Sequence, residues 1–433
     1  MTVNTSIPTV INQNLFGLNT SATVAINEKS RQMEHEGKKV FKLGFGQSPF
    51  PVPDLVVESL KKHAHEKDYL AVRGLPALRE AISNFTNHRK GTLSTAEEVL
   101  VGPGSKELMF LLQLSYYGEI IIPTPSWVSY APQAQILGRK VERAHTDIAN
   151  GLLLQPEELE SICAADPERP RLVILNYPSN PTGSTYSEST IMRLAEVARK
   201  YKVIVLSDEI YSELDHHGRH VSIARFYPEG TIISGGLSKW CGAGGWRLGF
   251  FVFPKGLKRL QRAMTVCASE TFTSTSAPIQ YAAVSAFIEN PEIDAYLEMV
   301  RRILKAVGNY TYEHLCRMNV SMPAPQGGFY LFPDFRRYRE ALEKRGLHDD
   351  RALCDALLDE AGVALLPGSE FGTLGSHYSA RLSYVDFDGE NVLKAFKSLP
   401  PEHLPDQAFV EAECPKIAEG IAAIGQWLKQ LSH

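Results

Sequence analysis

RLVILNYPSNPTGSTYSESTIMRLAEVARKYKVIVLSDE, residues 171–209, holds a complete strand–helix–strand pattern. It begins with an unbroken apolar run over 171–176, as a strand covered on both faces requires. YPSNPTG then supplies a turn rich in Asn, Pro and Gly. Thr185-Tyr-Ser-Glu188 matches a capping box and predicts the start of a helix. Ile191, Leu194, Ala195 and Ala198 follow at i, i+3, i+4 and i+7, one apolar stripe along that helix. KVIVLSDE (202–209) is a second apolar run. A strand, a crossover helix and another strand make two parallel neighbours.

The same rhythm extends outward. EEVLVG (97–102), EIIIP (119–123), TIISGG (231–236) and RLGFFVF (247–253) read as strands, while GSKELMFLLQL (104–114) and SYAPQAQILG (129–138) read as helices. The expected class is therefore α/β, with a mostly parallel sheet flanked by helices. Beyond about residue 290 a long helical stretch, NPEIDAYLEMVRRILKAVGNYTYEHL, leads into GGFYLFPDF and ARLSYV, both strand-like. That change predicts a large unit over 51–295 and a smaller α+β unit built from 1–50 and 296–433.

The totals bound the function. The chain has 433 residues, a formal charge of −4, 44% hydrophobic and 22% charged residues, an ordinary globular composition. Near-neutral charge argues against nucleic acid as a partner. Cys163, Cys241, Cys267, Cys316, Cys354 and Cys414 are scattered, without a C-x-x-C pair, and read as reduced thiols. The opening MTVNTSIPTVINQNLFGLNT lacks a basic start and an apolar run, so no secretory signal is expected. No run approaches the ~20 apolar residues of a membrane span. The expectation is a cytoplasmic protein without nucleic-acid or membrane partners.

Ligands of parallel sheets sit beyond the carboxyl ends of the strands. Five segments deliver unusual residues there: Gly104-Ser105-Lys106, Trp127, Asn180, Asp208 and Lys239. Taken singly, each has an ordinary explanation as a cap, a turn residue, a core aromatic or a solvated lysine. Together on one edge they do not. His216, His217 and His220 lack a third type of metal ligand and read as a loop, and no metal is expected. A lysine can form a Schiff base with an aldehyde such as pyridoxal phosphate. That cofactor needs a carboxylate at its ring nitrogen, donors at its phenolic oxygen, an aromatic face and a phosphate cup. Asp208, then Tyr211 and Asn180, then Trp127, and finally Gly104, Ser105, Lys106 and Arg247 are candidates for these tasks.

YLAVRGLPALREAI, VGPGSKE, PTPSWVSY, NYPSNPTG, SDEIYSEL, SKWCGAGGWRLGF, GGFYLFP and ARLSY together resemble the fold-type I pyridoxal-phosphate aminotransferases of classes I and II, the aspartate/aromatic group. The resemblance runs from LGFGQSPF (43–50) to ARLSYV (380–385). It implies a seven-stranded-type sheet, the fold of that transferase group. It also implies that Lys239 carries the Schiff base and shuttles the proton, that Asp208 pairs with the ring nitrogen, and that Tyr211 and Asn180 reach the phenolic oxygen. Trp127 would stack on the ring. Gly104, Ser105 and Lys106 would offer backbone donors to the phosphate, beside Arg247 and either Ser238 or Ser234. Tyr69 would reach the neighbouring subunit's phosphate, implying a homodimer. Arg381 would hold the substrate α-carboxylate, Gly46 would allow close backbone approach, and Asn180 would also touch that carboxylate.

The implied reaction moves an amino group from an L-amino acid to a 2-oxo acid, with an aspartate-like or aromatic donor favoured. No basic residue is assigned to a distal substrate carboxylate. Two features depart from the family pattern: Gly244 stands where a hydroxyl-bearing residue is common, and LSYYGEIII is a shortened connection. A C–S β-lyase or a cyclopropane-forming synthase shares these motifs. A ligand sensor would add a DNA-binding segment, for which the forty residues before LGFGQSP offer no basic helix. A catalytically dead binding module would lack Lys239, Asp208 or Arg381, and all three are present.

Overall fold

The computed structural model describes residues 10–18, 22–400 and 403–431. Its central layer is a seven-stranded sheet of Val99–Gly102 (β1), Glu119–Pro123 (β2), Val141–Ala144 (β3), Arg171–Asn176 (β4), Ile204–Asp208 (β5), Thr231–Gly236 (β6) and Gly249–Val252 (β7). The order is β1-β7-β6-β5-β4-β2-β3. β3, β2, β4, β5 and β6 are parallel, and β7 runs antiparallel between β6 and β1.

The apolar runs are continuous because each strand is covered twice. Ile120, Ile122, Leu172 and Ile174 join the core beneath helix Ser105–Ser115. Ile121, Val173 and Leu175 face the other way, against helices Pro156–Ala164 and Glu188–Lys200. Alternate residues thus serve opposite layers. The stripe of Ile191, Leu194, Ala195 and Ala198 is buried as its spacing requires.

A second, antiparallel sheet contains Tyr330–Leu331 (β8), Leu366–Pro367 (β9) and Ala380–Ser383 (β10), in the order β8-β10-β9. The segment before residue 50 joins it: Phe41 donates to Gly362 at 2.8 Å and Leu43 accepts from Ser383 at 2.6 Å. Helix Pro291–Arg317 lies across β8 and the C-terminal helices Gly389–Lys397, Gln407–Glu413 and Pro415–Gln430.

Three local expectations need correction. Ser187, rather than Thr185, caps helix Glu188–Lys200: its hydroxyl accepts from the Thr190 amide at 3.2 Å, and its backbone is extended. β3 carries no clear pattern because VERA is a short, half-charged edge strand with one buried residue. GGFYLFPDF contains only two strand residues, since β10 pairs with it over that length alone.

Candidate active site

The sheet brings six strand ends to one edge. β1 leads into Gly104 and helix Ser105–Ser115, β2 into Trp127, β4 into Asn180, and β6 into Ser238 and Lys239, while Asp208 closes β5. Because β7 is antiparallel, its starting end lies at the same edge, Gly249 opposite both Gly102 and Gly236. Arg247, two residues earlier, arrives there too.

These ends surround a cavity of about 330 Å³. Its lining includes Ser105, Lys106, Trp127, Asn180, Asp208, Tyr211, Ser238, Lys239 and Arg247 from the central sheet, with Gly46 from the segment joined to the second sheet. Ser234 lies outside the lining, fully buried in β6 opposite Asp208. Tyr69 is 87% exposed and does not enter its own chain's cavity.

Asp208 is buried. One carboxylate oxygen accepts from the Tyr130 hydroxyl at 2.5 Å; the Ile210 amide and Ser234 hydroxyl are close enough to favour the charged form, but among the described residues Oδ1 has no partner of normal hydrogen-bond geometry. Burial pushes this carboxyl up to about 6, against the pull of the Tyr130 hydrogen bond. A buried carboxylate with a spare oxygen calls for a cation or donor in the cavity. Lys239 Nζ donates to the Gly46 carbonyl at 2.8 Å and lies 5.6 Å from the ring centres of both Tyr211 and Phe329.

Arg381 is 2% exposed and has no carboxylate partner among the described residues. It donates to Asn180 Oδ1 at 3.1 Å and to the Gly44 carbonyl at 2.7 Å, and its Nε is unpaired. Burial lowers its proton affinity. Such a guanidinium is set up for an incoming anion.

At the opposite wall, Gly104 has φ +93°, a conformation that disfavours any side chain, and a Cβ there would collide with the Arg247 guanidinium. Arg247 donates to the carbonyls of Gly244 at 2.9 Å and Pro103 at 3.3 Å, beside the exposed N–H groups of a helix start. The glycine is thus required by the approach of this cation. At Gly46, what would meet a Cβ is the Tyr330 hydroxyl, so the expected close approach is to that side chain.

Several neighbours were not singled out from the sequence. Tyr130 holds Asp208. Tyr330 places its hydroxyl 3.0 Å from that of Tyr211. Behind Asp208, Glu209 is fully buried with Lys90 Nζ at 2.7 Å and His220 Nε2 at 3.0 Å. Burial alone would raise the Glu209 pKa, but Lys90 and His220 hold it well below the carboxylate range. His216, His217 and His220 lie in turn and loop backbone, as expected, with His216 buried and the His220 side chain 7% exposed against Glu209. Tyr130 stands in a helix-like stretch, Tyr330 in the GGFYLFP motif and Lys90 as a plain charge, and none of these marks a site role by itself.

The edge thus defines a pocket with an accessible lysine, a buried carboxylate and a cation at Arg247, while Arg381 lies outside the lining and reaches it through Asn180. Residues 38–399 match the family described as aminotransferase class I and II, and the chain belongs to that family of pyridoxal-phosphate-dependent aminotransferases. It is similar to an aspartate aminotransferase of Geobacillus stearothermophilus, 36% identical over 85% of this chain and 92% of that one. An asparagine–oxo-acid transaminase of Streptococcus mutans is 31% identical over 87% of this chain and 95% of its own. Among solved structures, aspartate aminotransferase from Thermus thermophilus with maleate superposes with a TM-score of 0.83 at 26% identity, over 97% of this chain and all of that one. The free Oδ1 of Asp208, the helix start beside Arg247 and the amine of Lys239 fit the family cofactor chemically.

Proposed function

We propose that this aminotransferase takes a donor with a polar or acidic side chain, aspartate or its amide, and works as a cytoplasmic homodimer. Lys106 carries the donor reading. Its ammonium lines the cavity 5.3 Å over the Trp127 ring and has no carboxylate partner among the described residues. Partial desolvation, and then the neighbouring Arg247, lower its pKa although the residue keeps contact with solvent, and a bound carboxylate would offset the repulsion from Arg247. With Arg381 at the α-carboxylate, Lys106 supplies the distal cation that the sequence alone did not assign. The aspartate and asparagine specificities of the relatives agree with it.

Pyridoxal phosphate, when bound, supplies an electron sink for the bond broken at the substrate α-carbon. In this reading Asp208 would hold its ring nitrogen, with Tyr130 fixing the carboxylate. Tyr211 and Asn180 would face the phenolic oxygen and Trp127 the ring. The backbone N–H groups of Ser105 and Lys106, the Ser238 hydroxyl and Arg247 would take the phosphate. Lys239 Nζ is the proton carrier, removing the α-proton and later returning one. Gly46 O, now its hydrogen-bond acceptor, holds that amine at the cavity wall. Arg381 and Asn180 orient the α-carboxylate. We further propose residues 51–295 as the cofactor-binding unit, with the remainder closing the substrate side.

Tyr69, an exposed aromatic outside its own cavity, supports a site shared between subunits. The six cysteines are free, as a reducing compartment would keep them. Among the described residues no helix is long and apolar enough to cross a membrane.

The test begins with absorbance after adding the cofactor: Lys239→Ala should lose the covalent band and the wild type keep it. Single amino acids then rank the donors, and an aromatic donor ranking first would replace the acidic reading. Lys106→Met should lower kcat/KM for aspartate about ten- to a hundredfold, the worth of one charge-assisted contact, while sparing alanine. Equal losses for both donors would remove Lys106 from substrate recognition. Light scattering of the purified protein checks the dimer.

A further inference from the structure

We infer that Tyr330 is a positioning residue serving cofactor and substrate sites at once, its hydroxyl aiming Tyr211 and its ring seating Arg381. Tyr330 is fully buried on β8, and its hydroxyl lies 3.0 Å from the Tyr211 hydroxyl and 3.4 Å from the Gly46 carbonyl. Each hydroxyl has one proton. The Gly46 carbonyl is the longer contact and already accepts from Lys239 Nζ at 2.8 Å. The Tyr330 proton is therefore better placed on the Tyr211 oxygen, which leaves the Tyr211 proton for an acceptor in the cavity. The same ring lies 4.7 Å from the Arg381 guanidinium carbon, and Phe371 lies 5.0 Å from it. The charged and titratable groups facing Tyr211 are thus Tyr330 from β8, Arg381 from β10, Asp208 from β5 and Lys239 from the loop after β6.

Tyr330 comes from the second sheet, whereas Tyr211 follows β5 of the first. The hydroxyl pair therefore couples the two sheets at the cavity. Gly46 is small for the same reason, because a Cβ there would strike the Tyr330 hydroxyl.

The inference rests on Tyr211 donating to the phenolic oxygen of the bound cofactor, and the experiment separates the two. Holoenzymes of Tyr330→Phe, Tyr211→Phe and the double variant are titrated with pH, following the absorbance of the bound cofactor. A donor at the phenolic oxygen favours its anionic form and lowers the midpoint, so losing it raises the midpoint. Tyr330→Phe should raise it by about half to one pH unit, the equivalent of one neutral hydrogen bond. It should add nothing in the Tyr211→Phe background. Because the phenylalanine ring stays under Arg381, KM for the amino acid should remain within about twofold, whereas Tyr330→Leu should raise it roughly three- to fivefold. Thermal unfolding of each apoprotein shows that the variants fold. If Tyr211→Phe moves the midpoint and Tyr330→Phe does not, or if Tyr330→Phe acts equally in both backgrounds, the positioning role is wrong. If Tyr211→Phe itself moves nothing, the assignment of Tyr211 to the cofactor fails and this inference with it.

Discussion

Asp208→Asn should make the apoprotein more stable while abolishing tight cofactor binding. The carboxyl is buried, and burial raises its pKa from 3.8 to about 6. Below pH 3.8 the group is protonated in folded and unfolded chains alike, and no penalty exists. Between there and pH 6 the unfolded chain ionises first, so folding becomes less favourable by about 1.4 kcal/mol per pH unit. Above pH 6 the penalty levels off at about 3 kcal/mol, a displacement of roughly two pH units converted at that rate. Asparagine keeps an oxygen for the Tyr130 hydroxyl and carries no charge to bury. Urea unfolding of wild-type and variant apoprotein from pH 4 to 8 should therefore show curves about 0.5 kcal/mol apart at pH 4 that separate to about 3 kcal/mol at pH 7 and above. Adding pyridoxal phosphate should reverse the order, because only the wild type offers a carboxylate to a protonated ring nitrogen. A separation that does not change with pH, or a variant apoprotein less stable than wild type at pH 8, would refute the claim that Asp208 is held at a cost for the ligand.

Lys90 and Glu209 form a buried pair, 4% and 0% exposed, with Lys90 also donating to the Ser212 hydroxyl at 2.6 Å. Lys90→Met leaves the carboxylate with His220 and the Ser207 and Ser222 hydroxyls but without its lysine, and should destabilise the fold by about 3 kcal/mol, a loss that adding Glu209→Gln partly restores in chemical denaturation. If the double variant is no more stable than the single one, stranded charge is not the cause. Gly104→Ala should weaken cofactor binding by displacing Arg247 and should strain the backbone by about 1–3 kcal/mol. Cofactor titration and apoprotein melting measure the two effects, and an unchanged cofactor affinity would remove the Gly104–Arg247 contact from the phosphate seat.

The parallel unit at 171–209 was legible because strands covered on both faces have nowhere to place polar side chains. The same logic marked β2 and β6 at their observed ends. β3 was not legible, since an edge strand with one buried residue carries little pattern. The candidate site was largely legible for a topological reason: parallel strands send their following loops to one edge, so Gly104, Trp127, Asn180, Asp208 and Lys239 could be grouped from strand positions alone.

What sequence could not provide were contacts between residues far apart in the chain. Tyr130 meets Asp208 across 78 positions, Tyr211 meets Tyr330 across 119, and Arg381 meets Asn180 across 201. The contact of the Lys106 ammonium with Trp127, without a carboxylate partner among the described residues, likewise exists only once two loops converge. Strand and helix identity follow from local periodicity, which each segment carries within itself. Which polar groups are satisfied and which are left open for a ligand depends on the packing of the two sheets, and only the tertiary structure decides that.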